Sequence, residues 1–324
     1  MPLPAVLQNS LRLPLIGSPL FIISNPTLVM EQCKAGIMGS FPSLNARPLE
    51  VLDQWLTDLN RDLAQYKSEH PDRIVAPYAV NLICHQSNNR LYDDVELCVK
   101  HKVPVIITSL RAPADLVERI HSYGGVILHD VTNIRHARKA VEEGVDGLIL
   151  VCAGAGGHAG ELSPFALVQE VRGFYDGCVV LSGAISNGRA ILAAQAMGCD
   201  LAYMGSRFIA TREAQAPDEY KQCLVESAAD DIVYTNLFTG VHGNYLKPSI
   251  LQAGLDPHNL PESDKTRMNF GSGGNTAAKA WKDIWGSGQG IGDIHDIPPA
   301  GELIDRLYDE YQQAKVALSE AWNY

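Results

Sequence analysis

The chain has 324 residues, 46% hydrophobic and 19% charged, enough to bury a full core; it is long for one ordinary domain and of normal length for an α/β barrel. Lys and Arg number 26 against 37 Asp and Glu, a net charge of −11 with no basic cluster set against it, which argues against nucleic acid and anionic membrane surfaces as partners. No basic leader precedes an apolar run and no stretch approaches ~18 consecutive apolar residues, so a soluble cytoplasmic protein is expected.

In chain order, short apolar runs alternate with helical patterns. The expected strands are 13–17 "LPLIG", 36–41 "GIMGSF", 74–81 "IVAPYAVN", 103–109 "VPVIITS", 126–131 "VILHDV", 147–152 "GLILVC", 178–184 "CVVLSGA" and 201–206 "LAYMGS". Amphipathic helices are expected at 26–34, 47–67, 89–101, 113–122, 133–144, 164–173 and 187–197, with Asn25 and Asn133 as start signals and Gly144 as a stop. Near-continuous apolar strands, each followed by a helix, mean parallel strands buried on both faces. Eight such units close a (β/α)8 barrel, with a doubly wound open sheet as the alternative. After residue 212 the rhythm breaks. Residues 213–285 read as a small lobe inserted over the barrel mouth, and residues 1–212 with 286–324 as the barrel, ending in a helix near 300–321.

In such barrels the reactive groups sit at the C-terminal ends of the strands. The turns "SGAISNG" and "MGSRF" would present the N–H groups of Gly183, Ala184, Gly205 and Ser206 to a phosphate, with Arg189 or Arg207 adding charge; taken singly, each turn is also explained by small residues closing a tight loop. The sixth run opens onto "AGAGGHAG", where His158 is either a surface-loop histidine or an imidazole able to take a proton from carbon near neutral pH. Asn81 either meets a ring edge or caps a turn. His129 and Asp130 alternate across their strand, so at most one faces the site. His242, Asn244 and Tyr245 of "GVHGNYL" are either pocket walls or a structured turn.

Seven cysteines are scattered without a C-x-x-C pair and read as reduced core residues. No H-E-x-x-H or cysteine cluster suggests a metal centre, and "GSGGN" at 271–275 lacks the strand and acidic residue of a dinucleotide fingerprint.

The strand-end motifs together, "AGAGGHAGE", "LSGAISNGRAILAAQAMGCDLAYMGSRFIATRE", "VNL" and the late "WGSGQG", resemble the nitronate monooxygenases, formerly 2-nitropropane dioxygenases, over about residues 10–212 and again near 280–292. The resemblance implies an FMN-dependent TIM barrel with a small extra domain covering the flavin. It implies that Pro19, Leu20, Phe21 and Asn81 meet the isoalloxazine, that Gly183, Ala184, Gly205 and Ser206 hold the phosphate, and that Ser287 and Gln289 close from the far side. The loop Ala155, Gly156, Gly157 and Asp130 complete the cofactor set, and His158 matches the family's base. Three departures stand out: "GSPLF" after the first strand, "SGA" at the seventh, and Asp130 where some relatives carry Lys or Gln. A carboxylate at that place would repel the flavin's electron-rich edge unless it turns away or is protonated.

The implied reaction is oxidation of alkyl nitronates with O2 to a carbonyl compound and nitrite. An FMN-dependent NADH:quinone reductase is the alternative, followed by an enoyl-acyl carrier protein reductase and a non-catalytic flavin-binding barrel. A small-molecule substrate and O2 are the expected partners, with a homodimer left open.

Overall fold

The computed structural model describes residues 3–263 and 283–321, so "GSGGN" at 271–275 lies outside the described residues. In chain order the strands are β1 (Leu15–Gly17), β2 (Ser40–Pro42), β3 (Ala79–Cys84), β4 (Val105–Leu110), β5 (Val126–Val131), β6 (Gly147–Val151), β7 (Gly157–His158), β8 (Cys178–Ser182), β9 (Leu201–Met204), β10 (Ile232–Thr235) and β11 (Gly243–Leu246). The α-helices are α1 (Pro26–Lys34), α2 (Leu49–Glu69), α3 (Leu91–Lys100), α4 (Ala114–His121), α5 (Ile134–Glu142), α6 (Pro164–Arg172), α7 (Gly188–Ala196), α8 (Ser206–Ile209), α9 (Asp218–Glu226), α10 (Lys247–Gln252) and α11 (Ala300–Ala321).

Eight parallel strands make one sheet in the order β1-β9-β8-β6-β5-β4-β3-β2. Its two ends meet through a parallel bridge between Ile16 and Met38, with Gly17 N–H donating to Met38 O at 2.8 Å. The sheet is therefore a TIM-barrel-like α/β fold rather than an open sheet. A second sheet, antiparallel, orders β10-β11-β7.

The start signals work as caps. Asn25 Oδ1 accepts from Leu28 N–H and Asn133 Oδ1 from His136 N–H, while Gly144 takes the left-handed conformation at φ 87° that ends α5. Two strands are displaced from expectation. Gly36, with φ 89°, turns the chain before β2, and Pro77, which has no N–H to give a ladder, pushes β3 on to 79–84.

Strand periodicity sorts the core into two shells. Ile106, Ile127, Leu148 and Val179 face the helices. Ile16, Ala79, Val105, Ile107, Leu128, Ile149, Val180 and Leu201 fill the barrel. All seven cysteines are free, six of them buried, and burial pushes the Cys152 thiol up to about 12, far from thiolate reactivity.

Candidate active site

Two residues beyond the apolar filling of the barrel, the same inward-facing rows carry Asn81, Ser109, Asp130, Val151, Ser182 and Tyr203, and all six line one cavity. Its volume of ≈ 1260 Å³ exceeds the roughly 300–1,000 Å³ usual for a single ligand. Ser18, Pro19, Leu20 and Phe21 form one wall. Gly154–His158, Gly183, Ala184, Gly205 and Ser206 form another, and Leu237, Phe238 and Thr239 face them from the lobe.

Alternation decides between the two neighbours on β5. Asp130 shares the inward row with Leu128, while His129 points to the helices and bonds Thr108 Oγ1 at 2.8 Å. Asn81 is not at a strand end but mid-strand; its Nδ2 donates to Ile107 O at 3.2 Å and to Ser109 Oγ at 2.9 Å. Ser109 Oγ and Asp130 Oδ2 share a hydrogen bond of 2.6 Å. Asp130 Oδ1 is buried without a partner. Burial pushes this carboxyl up to about 7 against the opposing effect of Ser109.

The loop after β6 is fastened on both sides. Gly154 O accepts from Gln289 N–H at 2.9 Å and from Ala184 N–H at 3.2 Å, and Asn244 Nδ2 donates to Ala155 O at 2.6 Å. A Cβ on Gly156 would stand 2.7 Å from Gly288 N. The glycine there is explained by the 286–289 backbone packed against it, not by the approach of a ring.

His158 lies on β7, opposite Gly243 of β11, and lines the cavity half-buried. Its Nε2 is 3.0 Å from Thr239 Oγ1, and that hydroxyl donates its proton to Val241 O at 3.0 Å. Burial lowers the imidazole to about 4, so the ring is neutral at pH 7 and able to accept a proton.

Other expected site residues fall elsewhere. Gly286, Gly288 and Gly290 line the cavity rather than Ser287 and Gln289; Ser287 is buried, its N–H bonded to Asn244 O at 3.1 Å. Tyr245 is buried, in edge contact with Phe238, and His242 stacks on Tyr234 at 5.0 Å. His242, Asn244 and Tyr245 thus support the wall from behind. Ala184, in the left-handed region at φ 53°, has its N–H engaged by Gly154 O, so the expectation that this N–H meets a phosphate is corrected. Buried Arg207 is paired with Asp296 at 2.6 Å instead of reaching the cavity. Sequence reasoning missed Ser109, Ser182, Tyr203 and Thr239. The first three follow from extending the inward row by one step; no local signal marks Thr239.

A barrel whose strand ends frame a deep cavity, with a polar floor and a neutral histidine in the wall, has the form of a cofactor-using barrel enzyme. The nitronate monooxygenase family model matches residues 15–310, and the chain belongs to that family of flavin-dependent oxidoreductases. Nitronate monooxygenase of Neurospora crassa is 26% identical, covering 92% of this chain and 89% of its own length. The Paraburkholderia phytofirmans nitronate monooxygenase is 25% identical over 96% and 95%. Among solved structures, nitroalkane oxidase from Streptomyces ansochromogenes superposes with a TM-score of 0.77 at 23% identity, covering 97% of this chain and 100% of that one. FabK from Thermotoga maritima gives 0.76 at 22%, covering 98% and 97%. At these identities the structural matches speak for the fold alone.

The family is typically FMN-dependent, and the cavity fits a flavin: its floor offers the buried, unpartnered Asp130 Oδ1 beside polar Ser109 and Asn81. Among the described residues, no group of three or more His, Cys, Asp or Glu is placed to hold a metal ion, and no helix is long and apolar enough to cross a membrane.

Proposed function

We propose that the chain is an FMN-dependent nitronate monooxygenase, oxidising alkyl nitronates with O2 to carbonyl compounds and nitrite. The observation that carries this reading is the position of the His158 imidazole in the wall of a cavity framed by the ends of the barrel strands. FMN, when bound, would accept electrons from the nitronate and pass them to O2. Pro19, Leu20, Phe21, Asn81, Asp130 and the loop Ala155, Gly156, Gly157 would hold its ring system; Gly183, Gly205 and Ser206 would hold its phosphate.

His158, held by Thr239, takes the α-proton of a nitroalkane onto its ring and so forms the nitronate in place. The apolar residues Leu237 and Phe238 keep water from the reacting carbon. In this reading residues 213–285 serve as the substrate-side cap, and residues 1–212 with 286–324 as the flavin barrel.

The test is anaerobic mixing of the flavin-loaded protein with propyl-2-nitronate in one cell and NADH in another. Rapid bleaching of the flavin by the nitronate, with sluggish bleaching by NADH, is expected. Bleaching by NADH alone would replace the proposal with a reductase.

A further inference from the structure

The floor of the cavity holds a three-residue chain whose proton inventory is set by chemistry. Both amide protons of Asn81 are engaged, one by Ile107 O and one by Ser109 Oγ. An amide nitrogen does not accept, so Ser109 Oγ must accept from Asn81. The serine keeps one proton and one remaining lone pair, and its 2.6 Å contact with Asp130 Oδ2 uses one or the other.

Which one is used depends on Asp130. Ionised, this carboxylate would have a single donor and leave Oδ1 buried with none, a costly arrangement for a charge. Neutral, it places its carbonyl at Oδ1 and its proton on Oδ2, facing the serine lone pair.

We propose that Asn81, Ser109 and Asp130 form a hydrogen-bond switch in the cavity floor: with Asp130 neutral, its Oδ2–H donates to Ser109 Oγ and the serine proton is turned into the cavity, where an acceptor atom of the flavin ring takes it. With Asp130 ionised, the serine proton is drawn back to Oδ2 and the cavity loses that donor. The inference rests on the FMN reading above and explains how an acidic side chain is accommodated beside an electron-rich ring: it stays in place and is protonated.

Burial holds the carboxyl up to about 7, so the change falls within the working range of an enzyme. The other ionisable groups of the cavity are Tyr203 of β9, His136 of α5, His158 of β7, Arg47 at the mouth and Tyr220 of α9; β3, β4 and β6 contribute none to the floor. Burial drives both tyrosines further above their ordinary value and holds His158 neutral.

Two measurements test the switch. Carboxyl ¹³C NMR on the flavin-free protein should show Asp130 titrating near 7, and higher still in Ser109→Ala, which loses the bond that favours the anion. FMN dissociation constants, read by flavin fluorescence from pH 5.5 to 9, should rise in the wild type by up to ~10-fold per pH unit above the midpoint. In Asp130→Asn, whose amide donates to Ser109 at every pH, that rise is absent. Ionisation of the FMN phosphate is common to both proteins and cancels in their ratio. A carboxyl titrating near 4, or a wild-type to Asp130→Asn ratio that is flat with pH, in a protein that binds FMN overturns the switch alone. No FMN binding at any pH overturns the flavin reading, and the donor role with it.

Discussion

His158 is held by a side chain far away in sequence: Thr239 Oγ1 sits 3.0 Å from its Nε2, and the same hydroxyl engages Val241 N–H and O. The two residues therefore have separable roles. His158→Asn should lower nitroalkane turnover by ~100-fold or more, the size expected for losing a general base, while turnover of preformed nitronate survives; equal losses on both substrates would mark a binding role instead. Thr239→Val should leave FMN binding intact and lower kcat a few-fold, with the acidic limb of the kcat/KM profile displaced; an unchanged profile would mean that Thr239 only packs. The glycine-flanked histidine was legible because its composition is unusual for a strand end. Thr239 was not, because a hydroxyl meets a ring 81 positions away only after the chain has closed.

Elements were legible where a local pattern and its tertiary setting agree. Helix α1 spans the residues expected for it because Asn25, Pro26 and the apolar spacing all point to one start. The third strand slipped because a run of apolar letters conceals a missing N–H at Pro77. Strand β7 has two residues and no periodicity to read; it exists because β11 supplies its partner. Helix α7 packs closely on α11: a Cβ on Gly188 would lie 2.3 Å from Tyr311 N and 2.4 Å from Leu307 O. Since helix backbone cannot swing aside, Gly188→Ala should lower stability by about 1–3 kcal/mol or more, seen as a lower urea midpoint. Gly301→Ala, within α11 and with nothing within 4 Å, is the contrast and should leave stability equal or raise it by up to about 1 kcal/mol.

Across the whole molecule, buried ionisable groups give opposing acid responses. Burial lowers His129 and His158 from 6.5 to about 4. Between those values the unfolded chain binds protons that the folded one refuses, so stability is lost as pH falls from about 6.5 toward 4. Asp130 acts in the other direction: folded, it keeps its proton up to about 7, whereas unfolded it releases it near 3.8, so its burial weighs against the fold above pH 7 and ceases to matter below about 4. Asp130→Asn should thus be more stable than the wild type at pH 8, by a few kcal/mol at most, and converge with it at pH 4; urea midpoints across that range decide the matter, and a constant difference would count against a buried neutral acid. The barrel itself was legible from eight repeats of strand and helix. Its closure followed from the count of eight, but the contact that makes it did not: that contact joins Ile16 and Met38, two apolar residues that nothing in the sequence distinguishes from their neighbours.

The three-stranded sheet carries a historical consequence. His158 is hydrogen-bonded into it through Gly243, while Asn81, Ser109, Asp130 and Tyr203 belong to the barrel. Drift in the residues of β10 and β11 re-aims the imidazole and reshapes the wall in one stroke, yet leaves the polar floor untouched. Descent could in this way reshape the wall of such a cavity by editing a short hairpin, with the barrel's inward-facing rows inherited unchanged.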